Sequence, residues 1–215
     1  MKKIKILALL QARTSSSRLP GKVLLDILGT PMLLCQIERE NLVTSIDHLV
    51  VVTSSDKSDD LLSEVLHEND IDYYRGSLND VLDRFYQAAK LYKPEHVVRL
   101  TGDCPLVDPE VVENVIRMHI DTNADYTSNT FPATYPDGLD VEVMKFSALE
   151  IAWKESELPS EREHVTAFIR NDKERFLHSN LEYSCDLSSY RWTVDESQDF
   201  EFVKKVYEKL YKENP

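Results

Sequence analysis

Short apolar runs alternate with longer segments of helical period through the first 120 residues, and this rhythm restricts the possible folds more than any other feature. The runs are IKILALL (4–10), HLVVVT (48–53), IDYYRG (71–76) and HVVRL (96–100). Between and after them come PMLLCQIERENLV (31–43), LLSEVLHEN (61–69), DVLDRFYQAAKLY (80–92) and PEVVENVIRMHI (109–120). ILALL and LVVV are apolar at every position, so a strand made from either has no face to give to water. Parallel strands covered on both sides by helices, with right-handed crossovers, meet that requirement. The expectation is a doubly wound α/β fold with a mostly parallel sheet.

After residue 125 the rhythm breaks into strand-like pieces at 125–129, 139–144, 176–183 and 191–194, which predicts a small β-rich insertion. Helices are expected near 146–157 and 161–172, and a last one over about 197–212. Thr30-Pro31 and Asp108-Pro109 each place a capping side chain before a proline suited to the first helical position. Ser160 with Glu163, and Asp195 with Gln198, have capping-box spacing. At 215 residues, with no repeat and no linker rich in Gly, Ser or Pro, the chain reads as a single domain over 1–215.

Charge narrows the partners. The chain carries 38 acidic against 25 basic residues, yet residues 1–25 hold six Lys or Arg and no acid. A net charge of −13 argues against nucleic acid, which needs a broad basic face; a small anion needs only a few focused cations. Cys35, Cys104 and Cys185 form no C-x-x-C pair and read as free thiols of a reducing compartment. No apolar run approaches the ~20 residues of a membrane span, and none resembles a signal peptide, so the expected setting is cytoplasmic, without a membrane partner.

Ligands of open α/β sheets bind beyond the carboxyl ends of the strands. Those ends carry QARTSSSRLPGK (11–22), TSSD (53–56), RGS (75–77) and TGDCPL (101–106). Arg13 and Arg18 can engage an anion with paired donors, Lys22 adds a point charge, and serine hydroxyls add donors, which together suit a triphosphate. The bland alternative is a solvated basic turn that reverses at Pro20-Gly21. Asp103 directly follows an apolar strand, where a carboxylate suits magnesium shared with phosphate oxygens, and Gly102 leaves room for a ligand. Asp195 in RWTVDESQD is the second candidate metal ligand, in competition with its helix-capping role.

QARTSSSRLPGK, TSSD and LTGDCPL, together with NDVLDRF (79–85), YPDGLDVEV (135–143), EREHV (161–165) and RWTVDESQDF (191–200), resemble the cytidylyltransferases that activate sialate-like and Kdo-like acidic sugars. The resemblance is strongest to the spore coat polysaccharide biosynthesis protein F group and spans nearly the whole chain. It implies a Rossmann-like α/β/α nucleotidyltransferase fold, CTP as substrate, Mg2+ as cofactor and transfer of CMP with loss of pyrophosphate. It further implies catalytic roles for Arg13, Lys22 and Asp103. A nucleotide site is implied over Leu10, Gln11, Ala12, Arg13, Ser17, Arg18, Lys22, Ser54, Ser55, Asp56, Gly76, Arg84, Thr101 and Gly102, with metal ligands Asp103 and Asp195. Thr193-Val194 stand where sialate enzymes place further acidic character, so one metal ion or two both remain open.

Residues 1–120 then form the nucleotide-binding half, and 121–215 the acceptor-binding and dimerisation half of a homodimer. Asp137, Asp140 and Glu142 are candidates for acceptor hydroxyls, and Arg162 and His164 for an acidic group, against plain surface roles for all five. Two other readings share the fold class: a nucleotide-sugar-dependent glycosyltransferase, and a nonenzymatic nucleotide sensor. The cation-rich first loop weighs against the glycosyltransferase.

Overall fold

The computed structural model describes residues 5–211; Ile4 of the first run and residue 212 of the last expected helix lie outside them. The four apolar runs form β1 (Ile6–Gln11), β4 (His48–Ser54), β5 (Tyr73–Gly76) and β6 (His96–Thr101), and a small hairpin pairs β2 (Asp26–Ile27) with β3 (Thr30–Pro31). The intervening helices are α1 (Met32–Glu40), α2 (Asp60–Glu68), α3 (Val81–Tyr92) and α4 (Pro109–Thr122). Then follow β7 (Tyr126–Ser128), β8 (Glu142–Lys145), α5 (Phe146–Glu155), α6 (Pro159–Glu163), α7 (Ala167–Asn171), β9 (His178–Asn180) and α8 (Ser197–Leu210).

One seven-stranded sheet has the order β5-β4-β1-β6-β8-β7-β9. Strands β5, β4, β1 and β6 are mutually parallel, while β8 runs antiparallel to both of its neighbours. The β-rich segment after residue 125 therefore prolongs the main sheet. The all-apolar runs divide between its faces. Ala8, Leu10, Val51, Val98 and Leu100 pack with α1, α2 and α4 on one side. Leu7, Leu9, Val50, Val52 and Val97 pack with α3, α5 and α7 on the other. Helix α8 closes a third cluster, setting Phe200, Val203 and Tyr207 against Ile27, Met32, Cys35 and Val194. All three cysteines are free, and Cys35 and Cys104 are buried.

Several boundary expectations change. Asp108 caps α4 through the Glu110 N–H, with Pro109 in the first turn, as the sequence suggests. Thr30 caps nothing: it and Pro31 are drawn into the hairpin, and α1 starts at Met32. Ser160 lies inside α6, whose first N–H, on Leu158, donates to Glu161. The expected helix over 161–172 splits because Val165 takes φ 49°, which aims the Thr166 hydroxyl at the buried Glu142 carboxylate at 2.7 Å. Segment 191–194 forms no strand. Its Trp192 and Thr193 N–H groups both donate to the Asp137 carbonyl and its Val194 N–H donates to the Asp103 carbonyl, which satisfies the backbone without a ladder.

Candidate active site

The ends of β1 and β6 lie side by side, with Gly102 N–H donating to the Gln11 carbonyl at 2.8 Å. Gly102 serves this contact: a Cβ there would sit 3.0–3.1 Å from Leu33, Ala12 and the Gln11 carbonyl. A cleft of about 230 Å³ opens above them, lined by Gln11, Ala12, Arg13, Ser16, Ser17, Arg18, Lys22, Thr101, Gly102, Asp103 and Asp195. Leu10 stays below it in the core.

Lys22 stands at the centre and is only 8% exposed. Gly21, at φ 71°, turns the first loop back so that its N–H reaches the Thr14 carbonyl at 2.8 Å and Lys22 enters the cleft. The Lys22 ammonium donates to Asp103 Oδ2 at 3.0 Å, the Val194 carbonyl at 2.7 Å and Asp195 Oδ1 at 3.1 Å, which uses all three of its N–H groups. Asp195 also receives Arg18 at 2.8 Å and Arg191 at 2.5 Å. Burial raises its carboxyl, but the bonds from Lys22 and Arg191 outweigh that and hold it below the usual carboxylate range. Asp195 is free for this work because Asp199, not Asp195, takes the N–H groups at the start of α8, at 2.9 Å each.

The segment carrying Asp195 is pinned from two sides. The Asp103 carbonyl accepts the Val194 N–H at 2.8 Å and the Thr193 hydroxyl at 3.2 Å. The Asp137 carbonyl accepts Trp192 N–H at 2.7 Å and Thr193 N–H at 3.1 Å, and the Asp137 carboxylate takes Arg191 at 2.9 Å. Beneath this segment Gly138, at φ 110°, touches its backbone so closely that a Cβ would lie 2.6 Å from Thr193 N.

A hard divalent cation fits Asp103 better than Asp195. Among the described residues Asp103 Oδ1 meets only the Cys104 thiol, at 3.6 Å, whereas both oxygens of Asp195 already face cations. One carboxylate shared with phosphate oxygens is a magnesium arrangement.

The remaining expected residues divide. Ser55 and Gly76 join at the neighbouring strand ends through a 2.7 Å backbone bond. Arg84 is fully buried against Gly76; its Nη1 donates to the Ser77 carbonyl at 2.8 Å, while Nε and Nη2 have no partner among the described residues. Burial, helped by the charge of Arg13, brings its guanidinium down to about 10. The Ser54 hydroxyl is bonded to Asp59, and Asp56, exposed, caps the next turn through Ser58 at 2.9 Å. The buried Asp59 was missed by sequence reading, although it is the residue that ties the first two loops together, accepting Thr14 N–H at 2.7 Å and Ser54 N–H at 3.2 Å. Its only signal was the polar run SDKSDD.

Four of the five acceptor candidates are committed elsewhere or set apart. Glu142 is bonded to Arg99, Tyr126 and Thr166, and Asp137 holds the Arg191 segment. Arg162 grips Asp80 at 2.6–3.1 Å and the Trp153 carbonyl at 2.7 Å, and His164 is exposed at the end of α6. Asp140 lines a recess beside Thr101 together with the already bonded Glu142, and it has no hydrogen-bond partner among the described residues. Although Asp140 is exposed at the surface, partial desolvation by the recess walls, then the charges of Asp137, Glu142 and Asp103, push its carboxyl up to about 6.

Loops at the carboxyl edge of a parallel sheet, bearing a clustered cation set and two carboxylates joined through one buried lysine, define a nucleotidyltransferase of the Rossmann-like α/β/α class. The sequence profile of the cytidylyltransferase family matches residues 7–213, and the chain belongs to that family. It is 34% identical over 213 residues to the spore coat polysaccharide biosynthesis protein SpsF of Bacillus subtilis, covering 95% of this chain and 87% of that one. A cytidylyltransferase structure from Leptospira borgpetersenii superposes with TM-score 0.90 at 33% identity, covering 95% of this chain and 87% of that one. The structure of CMP:2-keto-3-deoxy-manno-octonic acid synthetase complexed with CTP shares the fold, with TM-score 0.73 at 18% identity over 95% of this chain and 99% of that one. The chain is thus a CTP-dependent nucleotidyltransferase, which sets aside the glycosyltransferase and sensor readings. Among the described residues no helix is long and apolar enough to cross a membrane.

Proposed function

We propose that this enzyme transfers CMP from CTP to a hydroxyl of an acidic sugar or related acidic acceptor, with release of pyrophosphate, to make a surface-polysaccharide or glycan precursor. The observation that carries this reading is the buried Lys22 ammonium, which joins the first loop to Asp103 and Asp195 in the wall of the cleft. In the reaction the acceptor oxygen bonds to the α-phosphorus and the bond to the bridging oxygen breaks. The electron pair goes to pyrophosphate and the hydroxyl proton leaves to solvent.

Such a step is governed by positioning and charge neutralisation. Arg13, exposed at the rim, and Arg18 meet the outer phosphates; Lys22, exchanging one of its present partners for a phosphate oxygen, meets charge growing on the transferring group. Ser17 and backbone N–H groups of the first loop add donors, and Gln11, Ala12, Ser55, Gly76 and Arg84 form the nucleoside end. Asp103 would hold Mg2+, with Asp195 aligned beside it by Lys22. When bound, the ion supplies further neutralisation of the phosphate oxygens. Residues 1–120 serve the nucleotide and 121–215 the acceptor, and the reading includes a homodimer and a cytoplasmic setting.

The test is pyrophosphate release with magnesium, each of the four NTPs and a panel of acidic sugars. Release with CTP and an acid is expected; release with UTP or dTTP alone refutes the reading. Sedimentation at micromolar concentration tests the dimer.

A further inference from the structure

Two recesses continue from the nucleotide cleft along the sheet edge, joined in series by shared residues. Thr101 lines both the cleft and an inner recess of about 160 Å³, whose walls include Phe131, Asp140, Arg170 and the paired Arg99 and Glu142. Phe131 and Arg170 in turn line an outer recess of about 400 Å³, which carries the polar groups of Asn171, Lys173, His178 and Asn180.

Arg170 stands at the joint, and its surroundings set it apart. Other guanidiniums of this region are matched to acids: Arg99 to Glu142, Arg162 to Asp80, Arg175 to Glu155 and Arg191 to Asp137 and Asp195. Arg170 has no carboxylate partner among the described residues. It lies over the Phe131 ring, 4.5 Å from the centroid, and its N–H donors have no hydrogen-bond partner among the described residues. In a chain with 38 acidic and 25 basic residues, a half-buried guanidinium with no ion pair among the described residues is available to an anion from outside. Across the inner recess, the Asp140 carboxylate also has no hydrogen-bond partner among the described residues and can accept from a hydroxyl.

We infer that the two recesses form the acceptor channel, with Arg170 as the specificity residue that binds the acceptor's anionic group. Because Arg170 is at the joint and not at an end, that group lies within the bound molecule. The attacking hydroxyl is on the Thr101 side of it, and a polar, polyhydroxylated tail is on the Asn180 side. This assignment rests on the cytidylyl-transfer reading for its nucleophile, and on the recesses alone for its anion.

Binding, not turnover, tests it. Calorimetry measures the affinity of 3-deoxy-manno-octulosonate and of N-acetylneuraminate for the enzyme saturated with the α,β-methylene analogue of CTP. The methyl ester of each acid serves as the uncharged control. Loss of a charge-assisted pair predicts acid binding weakened by about tenfold to a hundredfold in Arg170→Ala, and by less in Arg170→Lys. Ester binding and CTP-analogue affinity should stay within about twofold, which no misfolded variant would give. Acid affinity unchanged in Arg170→Ala, an equal loss for ester and acid, or no binding of either acid to the unsubstituted enzyme overturns the assignment. If acids bind in an Arg170-dependent way while the CTP analogue does not bind, the nucleotide reading fails and the anion site stands.

Discussion

Replacing Gly138 by alanine tests how Asp195 is delivered to the cleft. Gly138 lies at φ 110°, and a Cβ there would stand 2.6 Å from Thr193 N and 2.7 Å from Trp192 C, both backbone atoms of the pinned segment. A non-glycine residue in that conformation costs ~1–3 kcal/mol, and overlap with backbone that cannot swing aside adds ~1–3 kcal/mol. The expected loss is ~2–6 kcal/mol, or a Tm lower by roughly 4–24 °C for a chain of this size. Gly29 is the internal control: it lies at φ 91° with nothing within 4 Å of its would-be Cβ, so Gly29→Ala carries the conformational cost alone. Urea and thermal unfolding of both variants separate the two contributions. Gly138→Ala should also lower pyrophosphate release out of proportion to its unfolded fraction, because relief of the clash moves Val194 and Asp195 away from Lys22. Equal destabilisation of the two variants, with release unaffected, would refute the packing argument.

Lys22→Ala should reduce pyrophosphate release by about a hundredfold or more, yet cost only ~1–3 kcal/mol in urea, since Arg18 and Arg191 still neutralise Asp195. Arg162→Ala should lower stability by ~1–3 kcal/mol through the freed Asp80, while acceptor KM stays unchanged; a raised KM would return Arg162 to the acceptor site. Burial, opposed by a bond from Gln36, raises the Glu40 carboxyl from 4.5 to about 8. The unfolded chain therefore releases that proton first as pH rises through this window, and stability falls. Glu40→Gln should match the parent near pH 4.5 and exceed it by ~1–4 kcal/mol at pH 8 in thermal melts. His119 has the opposite sign. Burial, then His96 and Lys145, lower it from 6.5 to about 3, so the unfolded chain takes up protons first below pH 6.5 and stability falls with pH. His119→Gln should flatten the decline between pH 6.5 and 5, and an unaltered slope would exclude this source.

The strands were legible because their apolar runs are continuous, and burial on both faces leaves that pattern no other use. Lys22, Asp103 and Asp195 could be placed together because each follows or precedes a strand-like run and one sheet edge collects such positions. Acceptor candidates were harder to judge, since the roles of such side chains depend on partners distant in sequence. EREHV offers a cation, but Asp80 at the start of α3 takes it. Arg170 is one arginine in an apparent helix until Phe131 comes beneath it from another strand end. Asp59 looks like surface charge in SDKSDD, and only the folded loops bring Thr14 and Ser54 to it. Residues 191–194 alternate like a strand, yet two carbonyls from other loops satisfy their N–H groups first.

The reversed direction of β8 separates the two halves of the site in a way open to engineering. Because β8 begins where β6 ends, with Glu142 opposite Arg99, Asp140 and the inner recess lie before their strand and not after it. Asp140 closes a loop that leaves β7 at Asn129 and returns at Val141. The Asn129 amide bolts that loop shut at its base, donating to the Leu139 carbonyl at 2.7 Å and accepting the Val141 N–H at 2.9 Å. Residues 130–136 thus sit above a fixed clasp, where side chains can be exchanged without shifting the register of β7 and β8 or moving the loops that follow β1 and β6.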